Sequence, residues 1–415
     1  MIRIFPSGVT GSSLQCDRGQ IYISTRISGN EMNNRVCMVV YQYYPRDQRV
    51  RKEAEALVRN GFDVEVICPR KPDEERRETV GGVRVWRLPL QMERSGGMLG
   101  YAYQYLMFFV MAAFAVKIEH IRRKFGVVHV NSLPDFLVFT AAFPKLTGAK
   151  VVLDLHEAMP EIYLSKRRLT ERSGSIFRLM VFLEEVSEAY AHRVITVSDA
   201  VGDILVERGL PREKLTIIYN APDIEKPLEP VSRVERKLVY AGTFNEYQDF
   251  DTVVAAFKEL KDVELDIYGD GPQMESVRRR IAEAGLTNIH LKGWVRPEEM
   301  KGLLLGYAGT IAPFVDTPIT RVALGHKVLE YPLLGLPVVA TDLPGLRSVF
   351  DDSCFYYYRA GQIGDFVRAV RSLLADRTVA RDKVRRSQEA IEKMGLTWGQ
   401  VQKKLVEMYR GLGDE

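Results

Sequence analysis

The residues with the most chemical content stand in the segment ALGHKVLEYPLLGLPVVAT, which begins at Ala323. Gly325 precedes a stretch of helical spacing. The first N–H groups of that helix have no intrahelical partner, and the positive end of its dipole faces whatever binds there. A diphosphate suits such an end, and Lys327, just past His326, adds a full charge. Glu330 lies three residues beyond Lys327, on the same helical face, where an ionised carboxylate can accept hydrogen bonds from both hydroxyls of a ribose. A Lys–Glu pair at this spacing is equally at home on the wet side of an amphipathic helix. The surrounding Gly and Pro pattern favours the functional alternative.

Other candidates follow β-branched runs. His156 closes VVLDLH, where an imidazole can hydrogen-bond a ligand or simply be a satisfied buried group. Thr243 and Asn245 follow KLVYAG, Gly271 follows DIYGD, and Trp294 and Val295 follow LKG. A tight turn alone explains the glycines of GDGP. Asp47, Arg49 and Arg51 open a helix near a cleft, but an Asp at a helix start is favoured by capping whatever the function. Glu157 and Glu161 are paired carboxylates whose separation the sequence does not fix.

These residues need elements that bring them together. From Arg35 onward, short apolar runs alternate with amphipathic stretches, the pattern of parallel sheets covered on both faces, so the fold class is α/β. Strands are expected at VCMVVY from Val36 and at residues 64–68, 83–87, 127–130, 151–155 and 194–197, with a helix through Val50, Ala54, Leu57 and Val58. Residues 221–236 carry Pro222, Pro227 and Pro230 and form the expected linker between an N-terminal lobe, 35–220, and a C-terminal lobe, 237–395. In the latter, KLVYAG, VELDIYG, NIHLKG, GTIAPF and PVVAT repeat the architecture. Residues 396–415 are expected to be a helix that can return to the first lobe. In open parallel sheets ligands gather beyond the carboxyl ends of strands, where the candidates above lie.

A chain of 415 residues, 46% hydrophobic, is large enough for two such lobes. Its formal net charge of +4 is spread along the chain and gives no nucleic-acid footprint. Cys16, Cys37, Cys68 and Cys354 form no CxxC pair, which argues against zinc and disulfides and for a reducing, cytoplasmic place. Residues 1–34 contain no apolar core of a secretory signal, and are expected to be a disordered leader or to precede the true start at Met32. Residues 101–116, YAYQYLMFFVMAAFAV, are nearly all apolar and are followed by Lys117, Arg122, Arg123 and Lys124. This run is short for a span of about 20 residues, which leaves a buried core helix or an interfacial helix touching anionic lipid through residues 101–124.

In order and spacing, DQRVRKEAEALVRNGFDVEVIC, DLHE, ITVSDAV, IYNAPD, YAGTFNE, IYGDGP, LKGWV and HKVLEYPLLGLPVVAT resemble the retaining glycosyltransferases of family 4, with the GT-B fold of two Rossmann-like lobes facing across a cleft. The resemblance covers nearly the whole chain from Arg35. It implies transfer from a nucleoside diphosphate sugar to a glycan, lipid-linked or other acceptor, with retention and without metal or other cofactor, commonly in cell-surface polysaccharide or glycolipid synthesis. Glu330 would bind the ribose, residues 323–327 the diphosphate and sugar, and Trp294 and Val295 the base, with His156 facing the donor sugar. Two departures concern the cations that stabilise a leaving diphosphate. Thr243 and Gln248 stand where the family often has Arg and Lys or Arg, and Val322 replaces the first glutamate of its glutamate pair. Arg321 and Lys327 are the nearby candidates to supply the charge. The alternatives are a silent nucleotide-sugar-binding partner of an active transferase and a sugar-nucleotide 2-epimerase on the same fold.

Overall fold

The computed structural model describes residues 14–17, 20–23, 33–92, 97–156, 159–167, 174–224, 227–228 and 236–413. Most of the leader, part of the linker and Glu157 lie outside them. The described leader residues, Leu14–Asp17 and Gln20–Ile23, pair with each other and with neither large sheet.

An eight-stranded sheet forms the N-terminal lobe. Its spatial order is Leu215–Ile217, Arg193–Thr196, Lys150–Leu155, Val127–Asn131, Arg35–Val39, Asp63–Pro69, Val83–Leu88 and Arg77–Val80. All neighbours are parallel except the last pair. Strands buried on both faces read as continuous apolar runs, which made the central ones legible. Arg77–Val80, a mostly exposed four-residue edge, and Leu215–Ile217, of three residues, carry too little pattern to be expected from sequence. The second lobe holds six parallel strands in the order Ile289–Gly293, Glu264–Tyr268, Lys237–Ala241, Gly309–Ala312, Val338–Thr341 and Tyr356–Tyr358. Each sheet has an apolar core on both faces.

Two helices bear on the cleft. Gln48–Arg59 starts at Asp47, whose carboxylate accepts from the N–H groups of Arg49 and Val50, so the capping alternative for Asp47 is realised. Its Val50, Ala54 and Leu57 bury against the sheet. The final helix, Trp398–Gly411, leaves the second lobe and buries Trp398, Leu405 and Tyr409 in that same core.

The apolar stretch around residues 101–116 belongs to a helix of 27 residues, Gly97–Arg123, so its expected shortness is corrected. The flanking polar residues continue the helix instead of ending it. Its segment Gly100–Arg123 is long and apolar enough to cross a membrane by length and composition. One face is core, through Phe108, Ala112, Ala115 and Val116, while Tyr103, Leu106, Phe114 and Ile121 are exposed.

Candidate functional site

The helix His326–Leu333 carries the central residues. Gly325 is its N-cap in extended conformation, with no side-chain cap. Lys327 and Glu330 meet on one face, Lys327 Nζ donating to Glu330 Oε2 at 2.9 Å, and His326 Nδ1 lies 3.9 Å from the same oxygen. Burial works against ionisation of Glu330, but Lys327 and His326 outweigh it and hold its carboxyl below the ordinary glutamate value. Burial pushes His326 down to about 4, so its imidazole is neutral near pH 7 and can bond a ligand without bringing charge.

This face opens on a cavity of about 470 Å³ between the lobes. His326, Lys327 and Glu330 form one wall, with Thr243, Trp294 and Val295 beside them. Trp294 is 65% exposed, a flat apolar surface at the rim on which a base can stack. Gly269 is required by packing: its φ is +140°, and a Cβ there would stand 1.8 Å from the Gly242 carbonyl oxygen. The close approach of these two strand ends shapes the cavity floor, which Gly242 and Gly269 also line.

Gly325, the N-cap, is not itself a lining residue, and three further candidates are placed elsewhere. Gly271 is not among the lining residues; a Cβ on it would meet the Phe244 carbonyl oxygen at 2.4 Å, so the turn itself accounts for this glycine. Asn245 is also outside the lining and accepts the Tyr247 N–H at 2.9 Å in its own loop. Arg321 pairs with Asp316 at 2.6 and 3.0 Å on the surface and is likewise not a lining residue. It is held by a neighbour five residues back, which sequence spacing did not reveal.

A second, larger cavity of about 880 Å³ lies against the N-terminal lobe, lined by Tyr41, Tyr43, Tyr101, Tyr105, Arg49 and His156. Gln48 lines both cavities. His156 is set by its surroundings. Its Nε2 lies 2.8 Å from Asp154 Oδ2 and 3.1 Å from Asn131 Oδ1, and Asn131 spends its own N–H on the Val39 carbonyl. Both neighbours are acceptors, so Nε2 carries the proton and Nδ1 is left for a ligand.

Asp154 is the hub of a buried set that sequence reasoning missed. Burial would raise its carboxyl, but His156 and His129 together hold it well below the aspartate range. His129 Nε2 approaches it at 3.4 Å, and the His129 Nδ1 meets the Tyr409 hydroxyl at 2.5 Å. Glu53 completes the set: ligand-type atoms of Glu53, His129 and Asp154 all lie within 4.8 Å of one another. Burial, and then the Asp154 charge, push the Glu53 carboxyl well above the ordinary glutamate value. Glu53, His129, Asp154 and Tyr409 come from four separate elements. Only DLH carried a local signal.

Glu161 is not free for acid–base work, since Arg208 bridges it and Glu184 at 2.5 Å each. The cavity also contains Arg51, Lys52 and Lys301, of which Lys52 and Lys301 were absent from the sequence candidates.

Comparison with known proteins fits this geometry. Residues 47–221 match the glycosyl transferase 4-like domain, and residues 235–376 match the glycosyl transferases group 1 family. The chain belongs to the GT-B glycosyltransferases. It is 23% identical over 361 residues to a 2-deoxystreptamine glucosyltransferase of Streptomyces kanamyceticus, covering 79% of this chain and 89% of that protein. Among solved structures, a sucrose-phosphate synthase of Thermosynechococcus elongatus superposes with a TM-score of 0.75 at 16% identity, over 91% of this chain and 98% of the other. The HepE protein of Anabaena, solved with UDP and glucose, gives a TM-score of 0.66 at 14% identity over 90% and 98%. Both halves of the chain are thus those of a glycosyltransferase, on the GT-B fold.

Proposed function

We propose that the protein moves a sugar from a nucleoside diphosphate sugar, held in the interlobe cavity, to a glycan or lipid-linked acceptor in the tyrosine-lined cavity, with retention of configuration. The observation that carries this is the convergence of Lys327, Glu330 and Trp294 on one cavity that meets the acceptor-side cavity at Gln48. Glu330 accepts from the ribose hydroxyls, Trp294 and Val295 face the base, and the Gly325 helix start with Lys327 faces the diphosphate. His156 offers Nδ1 to the donor sugar or acceptor. Retention follows a path in which the departing diphosphate takes the acceptor proton on the same face of the sugar, so no protein nucleophile and no metal are required. The names of the Streptomyces relative and of the Anabaena protein with glucose support a hexosyl donor.

The exposed apolar face of Gly97–Arg123, basic at its end through Arg122 and Lys124, supports peripheral contact with the cytoplasmic face of a membrane. A role in cell-surface polysaccharide or glycolipid synthesis accords with such a place. Sedimentation with anionic vesicles tests it: binding that survives Phe114→Ser and Leu106→Ser contradicts it.

The silent-partner alternative is kept by one observation. Gln248 accepts the Asn245 N–H at 3.1 Å, so it closes its own loop and brings no charge to the cavity. Mass-spectrometric assay separates the alternatives. A transferase releases nucleoside diphosphate and glycosylated product only with donor and acceptor together, an epimerase alters the donor alone, and a silent partner does neither.

A further inference from the structure

The family's usual cations after the first strand of the second lobe are Thr243 and Gln248 here, and Arg321 is bound to Asp316 away from the cavity. A diphosphate still has to be met by positive charge, because it carries more than one negative charge into a partly desolvated cleft. The cavity lining shows where cations stand. Besides Lys327, it contains Arg51 and Lys52 from the helix Gln48–Arg59 of the opposite lobe, and Lys301 from the helix Pro297–Leu304.

We infer that the diphosphate is gripped across the cleft by Lys52, with Arg51 and Lys301 beside it, these residues replacing the cations missing from the second lobe. The inference rests on the donor assignment proposed above and adds the phosphate-binding residues to it.

Lys52 is built for a fixed position. Only 9% of it is exposed, its Nζ donates to the Ala221 carbonyl at 2.5 Å, and the same Nζ stands 4.8 Å from the centre of the Trp398 ring. Ala221 belongs to the connection between lobes and Trp398 to the returning C-terminal helix. Three elements therefore hold one ammonium group at the cavity wall, and two of its three protons remain for a ligand. Lys301 is fixed in a similar way, donating to the Asp223 carbonyl at 2.9 Å. Because the grip comes from both lobes, diphosphate binding ties them together, and a nucleoside without phosphates does not.

The surroundings of Lys52 give the idea a pH signature. Burial, aided by Arg51 on its own helix, lowers its ammonium to about 8, against opposition from Asp223, Glu53 and Glu330. Lys327 and His326 face it from the helix His326–Leu333, and Lys301 from Pro297–Leu304. A bound diphosphate favours the charged form, so affinity is full below pH 8 and falls as pH rises through the value of the free protein.

Calorimetric titration with UDP, ADP and GDP, and with the matching nucleosides, at pH 7 and pH 9 tests this. The wild-type protein is expected to bind one diphosphate about tenfold more weakly at pH 9 than at pH 7. Lys52→Gln should bind it about tenfold to hundredfold more weakly at pH 7 and lose the pH dependence, while nucleoside affinity stays within twofold. Lys52→Arg should bind with little difference between the two pH values, since guanidinium stays charged. Diphosphate binding by the wild type that is flat in pH, or unchanged in Lys52→Gln, overturns the inference and leaves the donor site standing. Absence of binding by the wild type to all three diphosphates overturns the donor assignment and the inference with it. The wild-type pH comparison decides the matter even if Lys52→Gln does not fold.

Discussion

On the C-terminal side of the cleft, His326, Lys327 and Glu330 follow one another within one short helix, whereas the N-terminal side assembles Glu53, His129, Asp154 and Tyr409 from four elements. The first set is carried by local geometry: helical spacing puts Lys327 and Glu330 on one face before any tertiary contact forms. The second exists only after folding, with His129 and Tyr409 meeting across 280 positions of sequence. Different vulnerabilities follow. Changes in the local set should alter ligand binding with little loss of stability, and changes in the assembled set should cost both.

The largest effect is expected at the hub. Asp154→Asn leaves His129 and His156 without their ionised partner and should cost about 3 kcal/mol of stability, measured by urea unfolding, together with most transfer activity. Its wild-type contribution carries a sign: a depressed carboxylate stabilises above its ordinary range, and that stability is lost as pH falls through the native value. Acid unfolding of Asp154→Asn should therefore be less steep than that of the wild type. Equal stability of the two proteins at pH 7 would break the contrast between the walls.

Next, His156→Ala should lower transfer about hundredfold while nucleoside diphosphate affinity stays within twofold, because its bonds lie on the acceptor side. Loss of nucleotide affinity would move His156 to the donor side. Glu330→Ala should weaken nucleotide binding about tenfold to hundredfold with only a small change in melting temperature.

A smaller effect sharpens the same comparison. The N-terminal lobe also buries Glu188 and Asp135, each pushed up to about 8, first by burial and then by neighbouring carboxylates. Raised carboxyls stabilise at low pH, and the contribution is lost as pH rises from the ordinary glutamate range towards 8. Glu188→Gln should therefore stabilise by about 1 kcal/mol at pH 8 and by less at pH 5, read as a melting-temperature difference. The smallest effect is Arg321→Ala, expected to leave nucleotide affinity within twofold because Asp316 holds the guanidinium on the surface.

What could be read from the sequence follows the same division. Central strands such as Val127–Asn131 and the helix with Lys327 and Glu330 announce themselves through apolar runs and spacing. Lys52 sits in RKEAEALVR among other charges, and nothing local separates a lysine that turns into a cleft from one that faces water. Arg321 shows the converse, a cation near the right motif that a neighbouring carboxylate takes up. The turn at Gly271 resembled a binding loop because backbone crowding and ligand contact both select glycine.

Thermal stabilisation by a panel of nucleoside diphosphates and their sugars, comparing the wild type with Lys327→Ala and Glu330→Ala, tests the donor cavity most directly. A shift for one base that is reduced in both variants is the predicted result. No shift at millimolar concentration, or a shift that both variants retain in full, would contradict it.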